Sequence, residues 1–239
     1  MAGRFEGRRA LVTGAAGGIG RAVVDLLTDE GAAVVGVDLR EAEGVRGCDV
    51  SDADSVTTAV GAAAEELGGL DVLVNVAGID QFRRFEELDL ATWQRHLGVN
   101  LTGPMLMSQA ALPHLRASRG NIVTIASVAG LRAQPYQAAY CASKGGVIML
   151  MKSLALELWA DGVRANTVCP GGVETDLPMR SAAEHASSDL DWGLLSETAG
   201  GRYGFMPPRE IAEAVAYLAS DAAANVTGAV LSVDRGTAC

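Results

Sequence analysis

The sequence is short of several things at once. No apolar run reaches about 18 uninterrupted residues, the length a membrane-spanning helix needs, so no span is expected. Basic residues are in deficit: 19 Lys and Arg stand against 29 Asp and Glu, for a formal net charge of −10. That balance disfavours nucleic acid or an anionic membrane as partner. Cysteine is scarce and lacks paired spacing. Cys48, Cys141, Cys169 and Cys239 stand far apart, as reduced thiols of a cytoplasmic protein do. His96, His114 and His185 are equally dispersed, so no metal site is expected. No repeat, low-complexity tract or linker divides the chain. No secretory leader is expected either, because Met1 to Glu6 lead almost directly into a strand-like run. Lysine is nearly missing: of the 19 basic residues only Lys144 and Lys152 are lysines.

What is present is an alternation of strand-like and helix-like stretches. The 239 residues, 49% hydrophobic, suit one large α/β domain or two small ones. Arg8 to Thr13 reads as a strand. It runs into Gly14-Ala15-Ala16-Gly17-Gly18-Ile19-Gly20, after which helical periodicity continues to about Gly31. A glycine-rich turn from strand to helix lets backbone approach a pyrophosphate and offers it free N–H groups. The strict dinucleotide spacing is absent, and a plain tight turn is the alternative, but such a turn needs fewer glycines. The apolar strand Ala32–Val37 ends at Asp38. An acid about 20 residues past such a turn can hold the adenosine ribose hydroxyls and repel a 2′-phosphate. Arg40 lies two residues on and could welcome that phosphate instead.

A short strand is expected over Val45–Val50, then a helix capped by Ser51 and running to about Leu67, with Gly68-Gly69 as its stop. Leu70–Val76 is the fourth expected strand, and Asn75 inside it is expected to bridge neighbouring strands. Gln81–Leu88 reads as a polar loop. A helix opening at Asp89 carries Asn100, which is either a structural amide or the holder of a water at an active site, and Gly103-Pro104 is expected to interrupt or kink it. Gly120–Ala126 is the fifth strand, with Ser127 just past its end, where open parallel sheets bind ligands. A turn or cap serine is the alternative reading of Ser127. Strands over Val163–Val168 and Ala229–Val233, and a helix over Ile211–Leu218, complete the pattern. The irregular stretch from Thr175 to Pro207 carries Trp192, Tyr203, Phe205 and Met206 and reads as a lid or a surface insertion.

The helix after Ser127 holds Tyr140 and Lys144. Four residues apart, they lie on one face about one turn apart. A phenol loses its proton near pH ~10, and a close cation favours the phenolate by ~1–3 pH units. That would make Tyr140 an acid or base usable near neutrality. The same helix is apolar nearly all round, so it is expected to pack against a partner subunit.

Taken in order, Thr13 to Gly20, Asn75-Val76-Ala77-Gly78, Asn100, Ser127, Tyr140 with Lys144, and Pro170-Gly171 followed by Thr175 resemble the short-chain dehydrogenase/reductase family over essentially the whole chain. The resemblance implies one doubly wound Rossmann-type domain over 1–239, with a seven-stranded parallel sheet, helices on both faces and a substrate lid at about 176–206. It implies a homotetramer built through long helices like that carrying Tyr140. It implies NAD as cofactor, held by Gly14, Gly17, Gly18, Ile19 and Gly20 in the turn, Asp38 and Leu39 at the ribose, and Asp49 and Val50 beside adenine. Asn75, Ala77, Gly78, Tyr140, Lys144, Pro170, Gly171, Val173 and Thr175 would complete that site. Members using NADP often carry a basic residue just before the first or second cofactor glycine; here Thr13 and Ala16 or Gly17 are neutral.

The roles carried over make Tyr140 the general acid/base. Lys144 lowers its pKa and binds the nicotinamide ribose, Ser127 bonds the substrate oxygen, and Asn100 holds a water in the proton relay. Two positions depart from the family pattern: Val74 before Asn75, where a second Asn is common, and Asp234-Arg235-Gly236, where Asp-Gly-Gly is commoner. The expected function is NAD-dependent interconversion of a secondary alcohol and a ketone, the lid's aromatics suggesting an apolar, cyclic or steroid-like substrate. An NADPH-dependent 3-oxoacyl-carrier-protein reductase and a non-catalytic NAD-binding scaffold are the alternatives.

Overall fold

The computed structural model describes residues 3–175, 190–191, 193–194 and 204–238. Seven parallel strands form one sheet: β1 (Arg9–Thr13), β2 (Ala33–Asp38), β3 (Val45–Gly47), β4 (Val72–Asn75), β5 (Asn121–Ile125), β6 (Arg164–Pro170) and β7 (Val230–Val233). Their spatial order is β3-β2-β1-β4-β5-β6-β7, a doubly wound Rossmann-type sheet. The order reverses between β1 and β4, so a crevice opens beyond their carboxyl ends, at Thr13 and Asn75.

The strands are apolar because both faces are covered. Successive side chains point to opposite faces. Leu11, Leu73 and Ile122 join one core with helices α2 (Ala53–Leu67), α4 (Gly103–Ser118) and α5 (Ala138–Leu158). Val12, Val74 and Val123 join the other, against α1 (Gly18–Asp29) and α6 (Pro208–Ala219).

Several boundaries differ from the sequence reading. β3 stops at Gly47 because the chain turns into Asp49, whose carboxylate accepts from the Ser51 amide at 2.9 Å. Asp52, not Ser51, caps α2, accepting from Ser55 N at 2.7 Å, while the Ser51 hydroxyl is held by Asp49. Gly103-Pro104 does not break its helix. Helix α3 (Leu90–Leu97) passes through a π-turn at Gly98–Thr102 directly into α4, and Pro104, which has no N–H to give the preceding turn, stands just past it. The irregularity therefore falls on Asn100. The polar loop Gln81–Leu88 contains a buried ring, Phe82, and a short 3₁₀ turn at Phe85–Glu87.

Helix α5 is not buried all round in the single chain. Its inward face carries Lys144, Val147, Ile148 and Met151, but Met149 is 63% exposed and Leu156 85%. The lid expected at about 176–206 lies mostly outside the described residues, and Trp192 and Tyr203 lie wholly outside them. Met206 is turned into the core and bridges Val173. No helix among the described residues is long and apolar enough to cross a membrane, and no group of His, Cys, Asp and Glu among them could hold a metal ion.

Candidate active site

The turn after β1 is shaped by backbone contact. Gly14 has φ 69°, in the left-handed region, and a Cβ on it would lie 2.8 Å from Ala77 N. A Cβ on Gly20 would lie 2.0 Å from the Gly14 carbonyl, so helix and turn touch backbone to backbone. Gly17 is the N-cap of α1 and offers no side chain to the first-turn N–H groups, while Ile19 packs into the core behind. A helix start left without a side-chain cap fits an anionic ligand such as a pyrophosphate.

Thr13 ties the two crevice strands together: its hydroxyl accepts from Val76 N at 3.0 Å and Ala77 N at 3.1 Å. Asp38 ends β2 beside the turn. Its carboxylate accepts from Ala16 N and Arg40 N, both at 3.1 Å, and Leu39 beyond it is exposed. Asp49 and Val50 follow β3, Val50 buried beneath Gly103. On the far side, Gly171 is bonded to Val233, and Val173 and Thr175 turn back so that the Thr175 methyl would touch a Cβ on Gly18 at 3.1 Å. The structure thus brings every described cofactor candidate to the carboxyl edge of the sheet. Asn75 bridges β4 to β5 as expected, donating to Thr124 Oγ1 at 3.2 Å.

Asn100, Ser127, Tyr140 and Lys144 converge at the same edge. The Lys144 ammonium is buried, donates to the Ile125 carbonyl at 3.0 Å, and lies 5.7 Å from the centre of the Tyr140 ring. Ser127 accepts from Ala129 N at 3.1 Å, capping a short turn, and its hydroxyl also meets the Tyr140 phenol. The cap reading of this serine is met, and the same hydroxyl stands beside the phenol.

Asn100 meets the structural one of its two readings. Its Oδ1 accepts from Ile79 N at 2.9 Å, and its Nδ2 donates to Ile79 O at 2.9 Å and to Ser143 Oγ at 3.1 Å. Both donors are engaged, so the side chain clamps the loop after β4 to α5.

Burial dominates the electrostatics of the two titratable groups. In the chain alone the Tyr140 phenol is pushed up from its ordinary value, first by burial and second by the Asp80 charge; the Ser127 hydroxyl opposes the shift. Burial pushes the Lys144 ammonium down to about 8, partly offset by Cys169 and Asp80. Burial disfavours the charged form of each group, which moves the two in opposite directions.

Two residues that the sequence reading passed over stand next to this group. Gln137, the N-cap of α5, donates through Nε2 to the Asp80 carboxylate at 2.6 Å. Asp80 is the second residue after the Gly78 turn, and Gln137 precedes Tyr140 by three positions on one helical face. Those spacings were the available signal. What they lacked was any sign that loop and helix meet.

Residues 14–238 match the family model described as enoyl-(acyl carrier protein) reductase. The chain belongs to the short-chain dehydrogenase/reductase family. It is 42% identical over 250 residues to D-threitol dehydrogenase of Mycolicibacterium smegmatis, covering 98% of this chain and 94% of that protein. It is 37% identical over 245 residues to 3-oxoacyl-(acyl-carrier-protein) reductase of Vibrio cholerae, covering 97% and 98%. A short-chain dehydrogenase from Mycobacterium paratuberculosis, solved bound to NAD, superposes with a TM-score of 0.90 at 27% identity, covering 99% of both chains. The family uses nicotinamide dinucleotides, and the relatives place the chain among oxidoreductases acting on an alcohol or ketone.

Proposed function

We propose that this protein is an NAD-dependent dehydrogenase of secondary alcohols, working reversibly on the ketone, with Tyr140 as general acid/base. The observation that carries the reading is the meeting of Ser127, Tyr140 and buried Lys144 at the edge where the glycine turn ends. NAD rather than NADP is supported by Asp38 at the end of β2, where a carboxylate would repel a 2′-phosphate.

The turn from Gly14 to Gly20 would hold the pyrophosphate, and Lys144 and Thr175 the nicotinamide end. When bound, the nicotinamide supplies the acceptor for the hydride that leaves the substrate carbon. The chain's own part is to orient and to move one proton. Ser127 holds the substrate oxygen, and Tyr140 takes the hydroxyl proton as the carbonyl forms, or returns it in reduction. Lys144 keeps a positive charge near the phenol. Its depressed pKa means that this charge is established as pH falls through about 8. Asn100 keeps the loop after β4 against α5, so that phenol and ammonium stay in register.

The exposed Met149 and Leu156 of α5 support assembly of copies through that helix, and we read the protein as a cytoplasmic homotetramer. An apolar substrate keeps support from Phe82, Leu190 and Tyr136, which cluster beside the site. The reductase relative favours a second reading, reduction of a 3-oxoacyl group with NADPH. Asp38 and the net charge of −10 weigh against it, since an acidic carrier protein needs a basic surface.

Tyr140→Phe is the test. It is expected to lower kcat by about a thousandfold or more, while NADH fluorescence titration shows binding within a fewfold of wild type. Near-wild-type turnover by this variant would end the assignment. Rates with NAD and NADP measured side by side separate the two readings.

A further inference from the structure

Asp80 and Gln137 form a polar pair that the reaction as described leaves unused. Gln137 is 4% exposed and stands one helical turn before Tyr140, on the same face of α5. Its Nε2 donates to Asp80 Oδ2 at 2.6 Å. The opposite assignment of the amide would set its oxygen against the carboxylate, so this orientation follows from the pair itself. Two atoms then remain: Asp80 Oδ1 and Gln137 Oε1. Both are buried, and neither has a hydrogen-bond partner among the described residues. Both are acceptors.

The pair is firmly held. Asn100 clamps both backbone groups of Ile79, the residue before Asp80. Arg83 N donates to the Tyr136 carbonyl at 2.8 Å, drawing the loop after β4 alongside the segment that enters α5. Tyr136 has φ 63°, a left-handed conformation that costs a non-glycine residue about 1 kcal/mol or more. Its ring packs with Phe82 and Leu190, and its hydroxyl accepts from Asp191 N at 3.3 Å. The strained residue therefore ties three segments together around the pair. Asp80 is also close enough for its charge to act on both the phenol and the ammonium.

Buried acceptors without donors are costly, and a ligand that brings donors relieves the cost. A simple ketone or mono-alcohol directs its one oxygen to Ser127 and Tyr140 and offers nothing more. We propose that Asp80 and Gln137 are specificity-determining residues that accept hydrogen bonds from a second hydroxyl of the substrate. The substrate class is then a diol, polyol or hydroxyketone with a hydroxyl close to the reacting carbon. This deepens, and rests on, the alcohol–ketone reading above. It also divides the pocket: an apolar side at Phe82, Tyr136 and Leu190, and a hydroxyl-reading side at Asp80 and Gln137.

The test compares matched substrates on the purified full-length enzyme by NADH absorbance: propylene glycol against isopropanol, and vicinal cyclohexanediol against cyclohexanol. Wild type is expected to prefer the diol in kcat/KM by roughly ten- to a hundredfold in at least one pair, as loss of one buried hydrogen bond implies. Asp80→Asn and Gln137→Met are expected to bring that ratio to within a fewfold of unity. A merely structural lesion slows both substrates together and leaves the ratio in place, and that outcome would overturn the assignment. Equal wild-type rates on diols and mono-alcohols would overturn this inference alone and leave the alcohol–ketone reading standing. No oxidation of any alcohol with either cofactor would overturn both. The wild-type ratio decides even if a variant fails to fold.

Discussion

The two ends of the crevice are built by different means. The glycine-turn end is made of backbone. Gly14 and Gly20 allow main chain to touch main chain, Thr13 bonds two amides across the crevice, and both Asp38 oxygens accept from amides nearby. The tyrosine end is made of side chains from distant segments. It holds a buried ammonium, a phenol pushed up in pKa, and a carboxylate and an amide that each keep a bare acceptor. One end recognises a constant part of a ligand, the other carries chemistry and selection. Strain and incomplete pairing gather at the second.

That contrast can be broken at three points. The largest effect is expected at the backbone end. Gly20→Val would drive a Cβ to 2.0 Å from the Gly14 carbonyl, so turn or helix must move. We expect destabilisation by about 3 kcal/mol or more, seen as a lower Tm, together with loss of NADH binding by titration. A variant that bound NADH normally would show that the turn is not built by backbone contact.

Lys144→Met addresses the other end, with a smaller effect of opposite sign. The folded-state pKa of Lys144 is depressed to about 8, below its ordinary value, so the unfolded chain binds the proton more tightly. Lysine therefore costs stability at neutral pH, and the cost fades as pH rises through about 8 toward 10.5. Methionine removes the cost. We expect activity to vanish while stability in urea at pH ~7 rises by about 1–3 kcal/mol, and the gain to shrink by pH ~10. A loss of stability at neutral pH would show that the bond to the Ile125 carbonyl outweighs desolvation.

The smallest effect is expected at Asp38. Asp38→Asn keeps the shape and removes the charge, and its single amide oxygen keeps one of the two backbone bonds. We expect the kcat/KM preference for NAD over NADP to fall by roughly tenfold, worth about 1.4 kcal/mol, with kcat itself little changed. An unchanged preference would move cofactor choice to Arg40 or another group.

The sequence was readable where a residue type is dictated locally. Glycines at 14, 18 and 20 mark positions whose φ or neighbours exclude a side chain, and strand runs such as Leu11 to Thr13 show the apolar signature of a sheet covered on both faces. Tyr140 and Lys144 were readable because helical spacing fixes their relation. Other features were not. Ser51 looked like the cap of α2, but Asp49 takes its hydroxyl and Asp52 replaces it. Gly103-Pro104 looked like a break or kink in a helix; the helix continues, and its irregularity is the π-turn at Gly98–Thr102 just before the proline. The cation near the phenol was read as lowering its pKa, while the burial of the phenol, which pushes the other way, had no local signature.

By itself, then, the sequence determined the order of strands and helices, the glycine turn and the one-turn spacing of Tyr140 and Lys144, because each depends on neighbours within a few residues. Only the tertiary structure decided that Asp80 meets Gln137 across 57 positions, that Asn100 is a clamp, and that Lys144 is buried. Contacts between segments, and the loss of water around a charge, come into being only when the chain is packed.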